Sequence, residues 1–212
     1  LSDAEQFLKK YQTINGDSTH IWYAFGYLNY LKTDYEEAEK NFEKALKINP
    51  ANGLALNNLG AIFSEKKQYV LAIERVKSAI QADPKESMFF SNLYKIYQEM
   101  GKPDRFANEY KNTQQQNPEK WGYGKTLARV IRQRAFGFYS KGDLENAILG
   151  FEGMLKIYKE IGDVNGQVPA LFSLGLLNEE KGDVQKAQNY FTQVLAINPN
   201  HIQARSKIKP LD

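Results

Sequence analysis

Three prolines, each preceded by Asn or Asp, stand at equal intervals in this chain: Asn49-Pro50, Asp83-Pro84 and Asn117-Pro118. The interval, about 34 residues, is typical of a supersecondary unit that cannot bury its apolar face alone and does so against its own copies. Within the period the same residue types return at the same offsets. Before Pro50 come Trp22, Phe25, Gly26, Ala38, Phe42 and Ala45; before Pro84 come Leu56, Leu59, Gly60, Phe63, Ala72, Val76 and Ala79. Trp22, Phe25, Gly26 and Asn29 fall at i, i+3, i+4 and i+7, one face of a helix. Gly26 on that face lets a second helix, carrying Ala38, Phe42 and Ala45, approach closely. The turn between them is Lys32-Thr33-Asp34-Tyr35, and later units show Lys141-Gly142-Asp143 and Lys181-Gly182-Asp183. In those, glycine ends one helix and aspartate caps the next.

On these residues the chain resembles the tetratricopeptide repeat (TPR) family, over nearly all its length. The resemblance implies an all-α fold, a right-handed α-α superhelix of about five helix-turn-helix repeats. First helices are expected to begin near Thr19, Gly53, Ser87, Ala128 and Val168. Residues 1–18 then hold the second helix of a preceding partial repeat, matched by Asp3, Ala4, Leu8 and Tyr11. Residues 19–118 form three regular repeats, 119–200 two longer ones, and 201–212 a short cap. In that cap Ile202, Arg205 and Ile208 begin a helix that Pro210 stops, with Gln203, Arg205, Ser206, Lys207 and Lys209 as a polar outer face. The fifth repeat is well formed in Leu171, Leu174, Gly175, Ala187, Phe191 and Asn198-Pro199. The third is degenerate: Tyr94 replaces the packing glycine, and Phe106 and Thr113 replace alanines, so its helices are expected to pack farther apart or at a changed angle. The fourth carries Arg134 in a slot usually apolar.

The period breaks twice, at Glu119–Gly124 and at Tyr158–Gln167. The first insert either extends a helix or adds a loop, and a change of superhelical path is expected near Trp121. The second reads as a longer link between repeats. Because the chain starts at Leu1 without a methionine, it is expected to be a piece or a processed form of a longer product.

Composition narrows the function classes. Net charge is +3, too small for the dense basic face that nucleic acid requires. No apolar run approaches the ~20 residues that span a bilayer, which points to a soluble protein; the residues do not choose between a cytoplasmic and a periplasmic place. With no cysteine, disulfides and thiolate metal sites are excluded. The two histidines, His20 and His201, belong to the first and last units, too far apart for one metal or one dyad. Gly122 and Gly124 flank an aromatic and read as a loop rather than a phosphate cradle. Acidic pairs such as Glu36-Glu37 and Glu179-Glu180 read as solvated helix surface. No cofactor motif is present, and the residues argue against an enzyme.

Function is therefore sought on the concave face, which the first helices of such an array line. The candidate groove residues are Tyr23, Tyr27 and Tyr30 from the first repeat, Asn57 and Asn58 from the second, and Asn92 and Lys95 from the third. Arg129, Arg132, Phe136 and Tyr139 come from the fourth. Tyrosines combine a large rigid face with a hydroxyl tip, amides pair with an extended peptide backbone, and arginine holds a carboxylate bidentately. Tyr27 and Tyr30 either face the groove or pack on a neighbouring helix. Asn58 and Asn92, one period apart, resemble two rungs of the asparagine ladder of some tetratricopeptide superhelices. The family's carboxylate clamp for chaperone C-termini is not matched, since Tyr23, Tyr27, Met88 and Asn92 replace all its residues except Asn58. The expected role is a scaffold or adaptor for a protein or peptide carrying an apolar segment and acidic residues. A regulatory or targeting segment of a larger enzyme and a self-associating repeat protein are the alternatives.

Overall fold

The computed structural model describes residues 2–208, Ser2 by its backbone alone; Leu1 and residues 209–212, with Lys209 and Pro210 of the expected cap, lie outside the described residues. Among those described, the chain is a run of twelve helices with no strand. They are α1 (Ser2–Asn15), α2 (Thr19–Leu31), α3 (Tyr35–Ile48), α4 (Gly53–Glu65), α5 (Tyr69–Ala82), α6 (Ser87–Glu99), α7 (Asp104–Asn112), α8 (Glu119–Tyr139), α9 (Leu144–Glu160), α10 (Val164–Lys181), α11 (Val184–Ile197) and α12 (Ile202–Lys207). Two compact units divide between Glu109 and Tyr110, inside α7.

In unit 1 the helices pair as first and second members, α2 with α3 and α4 with α5, and successive pairs stack. Each joint is built from the slots read in the sequence: Phe25, Gly26, Ala38, Phe42 and Ala45 are buried, as are Leu56, Leu59, Gly60, Phe63, Ala72, Val76 and Ala79. The glycines mark the closest approach. A Cβ on Gly26 would fall 2.6 Å from the Phe42 ring, and one on Gly60 2.4 Å from Val76 Cγ2. Asp34 and Asn52 cap α3 and α4 through their side-chain oxygens, satisfying N–H groups that a helix start leaves unpaired. At the head of the unit, α1 offers Ala4 and Tyr11 to solvent and leaves Leu8 half-buried, whereas Ala38, Phe42 and Ala45 of α3, one period later, are wholly covered. The element that covers this face of α3 is its own first helix, α2, and no described helix stands in that place before α1.

The third repeat closes differently. Tyr94 and Phe106 meet edge to face, ring centroids 5.4 Å apart, where the other pairs use glycine and alanine. Glu109 of α7 accepts from Lys77 Nζ at 2.7 Å and from the Tyr97 hydroxyl, tying α7 to α5 and α6. Burial first, then the hydrogen bond to Glu109, push the Tyr97 phenol well above its ordinary value, so it stays a donor.

In unit 2, α8 pairs with α9, α9 with α10, and α10 with α11. The inserts are helix rather than link: α8 starts at Glu119 and α10 at Val164, ahead of the expected Ala128 and Val168. Of the expected link at Tyr158–Gln167 only Ile161, Gly162 and Asp163 are non-helical. Gly162 takes φ +70°, the left-handed turn that ends α9, and Asp163 caps α10 by accepting from Gly166 N–H at 2.9 Å. Added turns of helix keep their backbone hydrogen bonds internal, which a longer coil would not. Gly122 and Gly124 are likewise buried in α8 and form no loop; a Cβ on Gly124 would come within 2.6 Å of Ile161 Cγ2. Around this extension Lys120 Nζ donates to the Tyr110 carbonyl at 2.6 Å, Tyr110 donates to Glu160, and Lys125 pairs with Asp163 at 2.6 Å. Arg134 is exposed, so the polar residue in the fourth repeat's apolar slot is not buried.

Candidate functional site

In unit 1 the first helices α2, α4 and α6 present one face. On it lies a recess of about 130 Å³, bordered by Tyr30, Asn58, Glu65, Asn92, Lys95 and Glu99 among others. Two rows of side-chain bonds cross from helix to helix. Asn58 Nδ2 donates to the Tyr23 hydroxyl at 3.3 Å, and Asn92 Nδ2 donates to Asn57 Oδ1 at 2.8 Å. Near the C-terminal ends of the same helices the Ser64 hydroxyl donates to Glu99 at 2.6 Å. Each rung spans 35 residues, one more than the repeat, because it joins a position on one helix to the next position on its neighbour.

These rungs correct two readings of the candidates. Asn57 is buried at 1% exposure and spends its carbonyl on Asn92, so it is a packing amide instead of a peptide hook. Asn58 and Asn92 do not repeat one role either: one holds a tyrosine hydroxyl and the other an asparagine. Lys95 stands 3.5 Å from Glu99, so its charge is already partly met. The tyrosines divide. Tyr23 is half-buried, packs on the Phe42 ring at 5.7 Å and carries the Asn58 bond. Tyr27 stacks on Tyr23 with rings 8° from parallel and stays 44% exposed. Tyr30 is half-buried against Tyr35, 5.7 Å between centroids. Tyr23 and Tyr30 thus pack on neighbouring side chains, while Tyr27 leaves much of its ring open.

In unit 2, Arg129, Arg132, Phe136 and Tyr139 follow one another at steps of three or four along α8, and all are exposed. Phe136 lies edge to face on Phe151, 5.2 Å away, with half its surface still open. Tyr139 donates to Glu180, which with the carboxylate's charge raises the phenol. Tyr139 and Glu180 therefore repeat the hydroxyl-to-glutamate rung that Ser64 and Glu99 make in unit 1. On α10, Phe172 packs on His201 at 4.8 Å, while Leu176 stays exposed. His201 caps α12, its Nδ1 accepting from Ala204 N–H at 3.1 Å, a structural use. Along unit 2 the first-helix face runs from arginine through aromatic and apolar side chains to Glu179 and Glu180.

Glu65, Glu99 and Glu180 fall on the groove stripe of their first helices by sequence position but are not among the candidates singled out above. Their signal was available: Glu65 and Glu99 sit one period apart at the last position of α4 and α6, where a carboxylate opposes the helix dipole and needs a reason to stay.

The sequence profile described as Tetratricopeptide repeat matches residues 20–52 and 168–201, and a second of the same description matches 41–74. A TPR repeat-containing protein of Methanocaldococcus jannaschii is 25% identical over 208 residues, covering 89% of this chain and 34% of that protein. The human Protein O-mannosyl-transferase TMTC3 is 23% identical over 212 residues, covering 98% of this chain and 22% of that one. The chain thus spans about a third or less of the length of these relatives. Among solved structures, that of Pseudomonas aeruginosa pilF aligns with 97% of this chain and 89% of its own at 21% identity and a TM-score of 0.52, a likeness of fold. No helix among the described residues is long and apolar enough to cross a membrane. With their buried glycine and alanine slots, their paired helices and these matches, residues 20–74 and 168–201 of the chain are repeats of the tetratricopeptide family.

Proposed function

We propose that this repeat scaffold binds a segment of a partner protein on the first-helix faces of its units and holds it within an assembly. The observation that carries this reading is the set of aromatic side chains left open there: Tyr27 at 44%, Phe136 at 51% and Tyr139 at 43% exposure. Large rings on a rigid helical face are the usual anchors of interfaces, because they bury much area while losing little side-chain freedom. Arg129 and Arg132 beside Phe136 suit a partner whose apolar residues are flanked by carboxylates. Such cationic contacts weaken as salt rises, with a Debye length of about 8 Å at physiological strength, whereas the aromatic contacts change little.

The test is retention of native partners by the intact chain against Tyr27→Ala, Phe136→Ala and Arg132→Glu, each at low and high salt. Loss with the first two at any salt, and a salt-dependent loss with the third, is the expected pattern. Should all three stay folded and keep every partner, the first-helix faces are not the binding surface. A second reading is favoured by the alignment of nearly the whole chain to a fifth of a much longer transferase: the scaffold serves as the recognition segment of a larger enzyme. In that case the bound segment belongs to the enzyme's substrate protein, and the same variants lower turnover of that substrate while sparing a small acceptor.

A further inference from the structure

Glu65 ends α4, so its carboxylate faces the partial negative charge of that helix's last carbonyls. Glu99 stands in the same place on α6 and has relief: the Ser64 hydroxyl at 2.6 Å and Lys95 at 3.5 Å. Glu65 has none. It is exposed, and no ion pair or hydrogen bond among the described residues reaches it. Across the recess stands α2, which contributes Tyr30. The charges bordering the recess are therefore Glu65, Glu99 and Lys95, one negative in excess. The Tyr30 phenol feels this balance. Burial chiefly, then Tyr35 and Glu65, hold it above the ordinary tyrosine value, while Lys95 pulls the other way.

We propose that this recess of unit 1 receives a lysine or arginine side chain of the partner segment, its charge set between the Glu65 carboxylate and the ring of Tyr30. This rests on the reading of the first-helix face as the binding surface, and names what that face selects in unit 1. A cation over a tyrosine ring is attracted by the ring quadrupole, more strongly as water is displaced. A carboxylate at its side adds a charge-assisted hydrogen bond, bidentate for arginine. The space, about 130 Å³, suits the end of one side chain. Lys95 is the resident competitor for the same field. Removing its charge doubles the negative excess, so it strengthens capture of a cation and weakens capture of an anion.

The experiment is a titration of the ¹⁵N-labelled full chain, followed by backbone amide shifts, with three probes: acetyl-Ala-Arg-Ala-amide, the same peptide with citrulline for arginine, and the same with glutamate. The arginine probe is expected to move the amides around Tyr30, Glu65 and Lys95, with citrulline about threefold to tenfold weaker. Glu65→Gln is expected to abolish that preference and Lys95→Gln to increase it, both with unchanged melting temperature. Equal binding of arginine and citrulline, or no effect of Glu65→Gln, overturns the proposal. Preference for glutamate in the recess overturns it too, while leaving the binding face intact. If no probe moves any residue of α2, α4 or α6, the cationic anchor is rejected, and the retention experiment with Tyr27→Ala and Phe136→Ala decides the wider reading on its own.

Discussion

Between α4 and α5 the close approach is made by a glycine on the first helix: a Cβ on Gly60 would lie 2.4 Å from Val76 Cγ2 and 3.1 Å from the Ala72 carbonyl oxygen. Between α8 and α9 the corresponding place on the first helix holds Ala135, and the glycine has moved across the joint to Gly150, whose Cβ would lie 2.7 Å from that of Ala135. The two repeats show that the joint requires little total side-chain volume at the crossing, whichever helix supplies the gap. Tyr94 against Phe106 is a third solution, in which two rings meet edge to face and fill the space that the others close. Close packing makes these alternatives distinct, because an interior at crystal-like density has no slack for an extra methylene.

Gly60→Leu should have the largest effect. The added side chain meets backbone at Ala72 as well as the Val76 side chain, so rotamer changes alone do not relieve it, and overpacking of this kind costs about 1 to 3 kcal/mol or more. Gly26→Leu should cost less, since its three nearest neighbours are side-chain atoms of the Phe42 ring and none is backbone. Thermal or urea unfolding ranks the pair. Equal destabilisation means that backbone proximity does not set the cost.

Gly150→Ala comes next, at about 1 kcal/mol or somewhat more. The decisive variant is the exchange Ala135→Gly/Gly150→Ala, which restores the combined volume and leaves the count of helical glycines unchanged. A coupling energy of about 1 kcal/mol or more in the double-mutant cycle is expected. Simple additivity would mean that Gly150 is there for some reason other than Ala135.

The same comparison explains what the sequence made legible. Gly26, Gly60 and Gly175 were found because they recur at one offset, and the buried partners Phe42, Val76 and Phe191 follow from the same offset. Gly150 escaped because compensation across a joint leaves no repeat at a fixed position. The rungs Asn58 to Tyr23, Asn92 to Asn57 and Ser64 to Glu99 escaped for a related reason. Stacked helices are offset, so spatial neighbours lie one position beyond the period, while comparison of the repeats matches positions a whole period apart. Both inserts are visible as breaks in period, and helix extension is one of the two readings of the first; the second is helix because Gly162 ends α9 and Asp163 caps α10, a local signal that a break in period does not carry.

Asp163 gives the pH arm of the comparison, since it caps α10 and pairs with Lys125, whereas Asn52, the corresponding cap of α4, carries no charge. Burial raises its carboxyl, but the hydrogen bond from Lys125 and the Gly166 N–H outweigh burial and hold it below the ordinary value. A group depressed in the folded state adds stability above its unfolded value, about pH 3.9, and that stability is lost as pH falls through the folded value. Asp163→Asn, which keeps a cap oxygen and removes the charge, should therefore lower stability at pH 7 by about 1 kcal/mol and have a smaller effect below pH 3. An acid unfolding profile of the variant parallel to that of the parent would show that the Lys125 pair contributes nothing.

The smallest effects are expected in the turns, where repeats two and five differ at two adjacent residues. Repeat five has Gly182 at φ +88° and Asp183 accepting from Lys186 N–H at 3.1 Å. Repeat two has Lys67 at φ +58°, a conformation that side chains resist, and Gln68 with no side-chain cap bond to α5. Lys67→Gly should relieve the strain and gain about 0.5 to 1 kcal/mol, since glycine takes positive φ at no steric cost. Gln68→Asp should add about 1 kcal/mol by accepting from the first N–H groups of α5 and placing a negative charge at its N-terminus. The two changes act through different groups, one on the end of α4 and one on the start of α5, so their gains should sum in the double variant. The control is Gly182→Lys/Asp183→Gln in repeat five, which should lose what repeat two gains. If transplanting the glycine and aspartate stabilises neither turn while their removal from repeat five is costly, the turns are set by the packing of their helix pairs and the local residues merely follow.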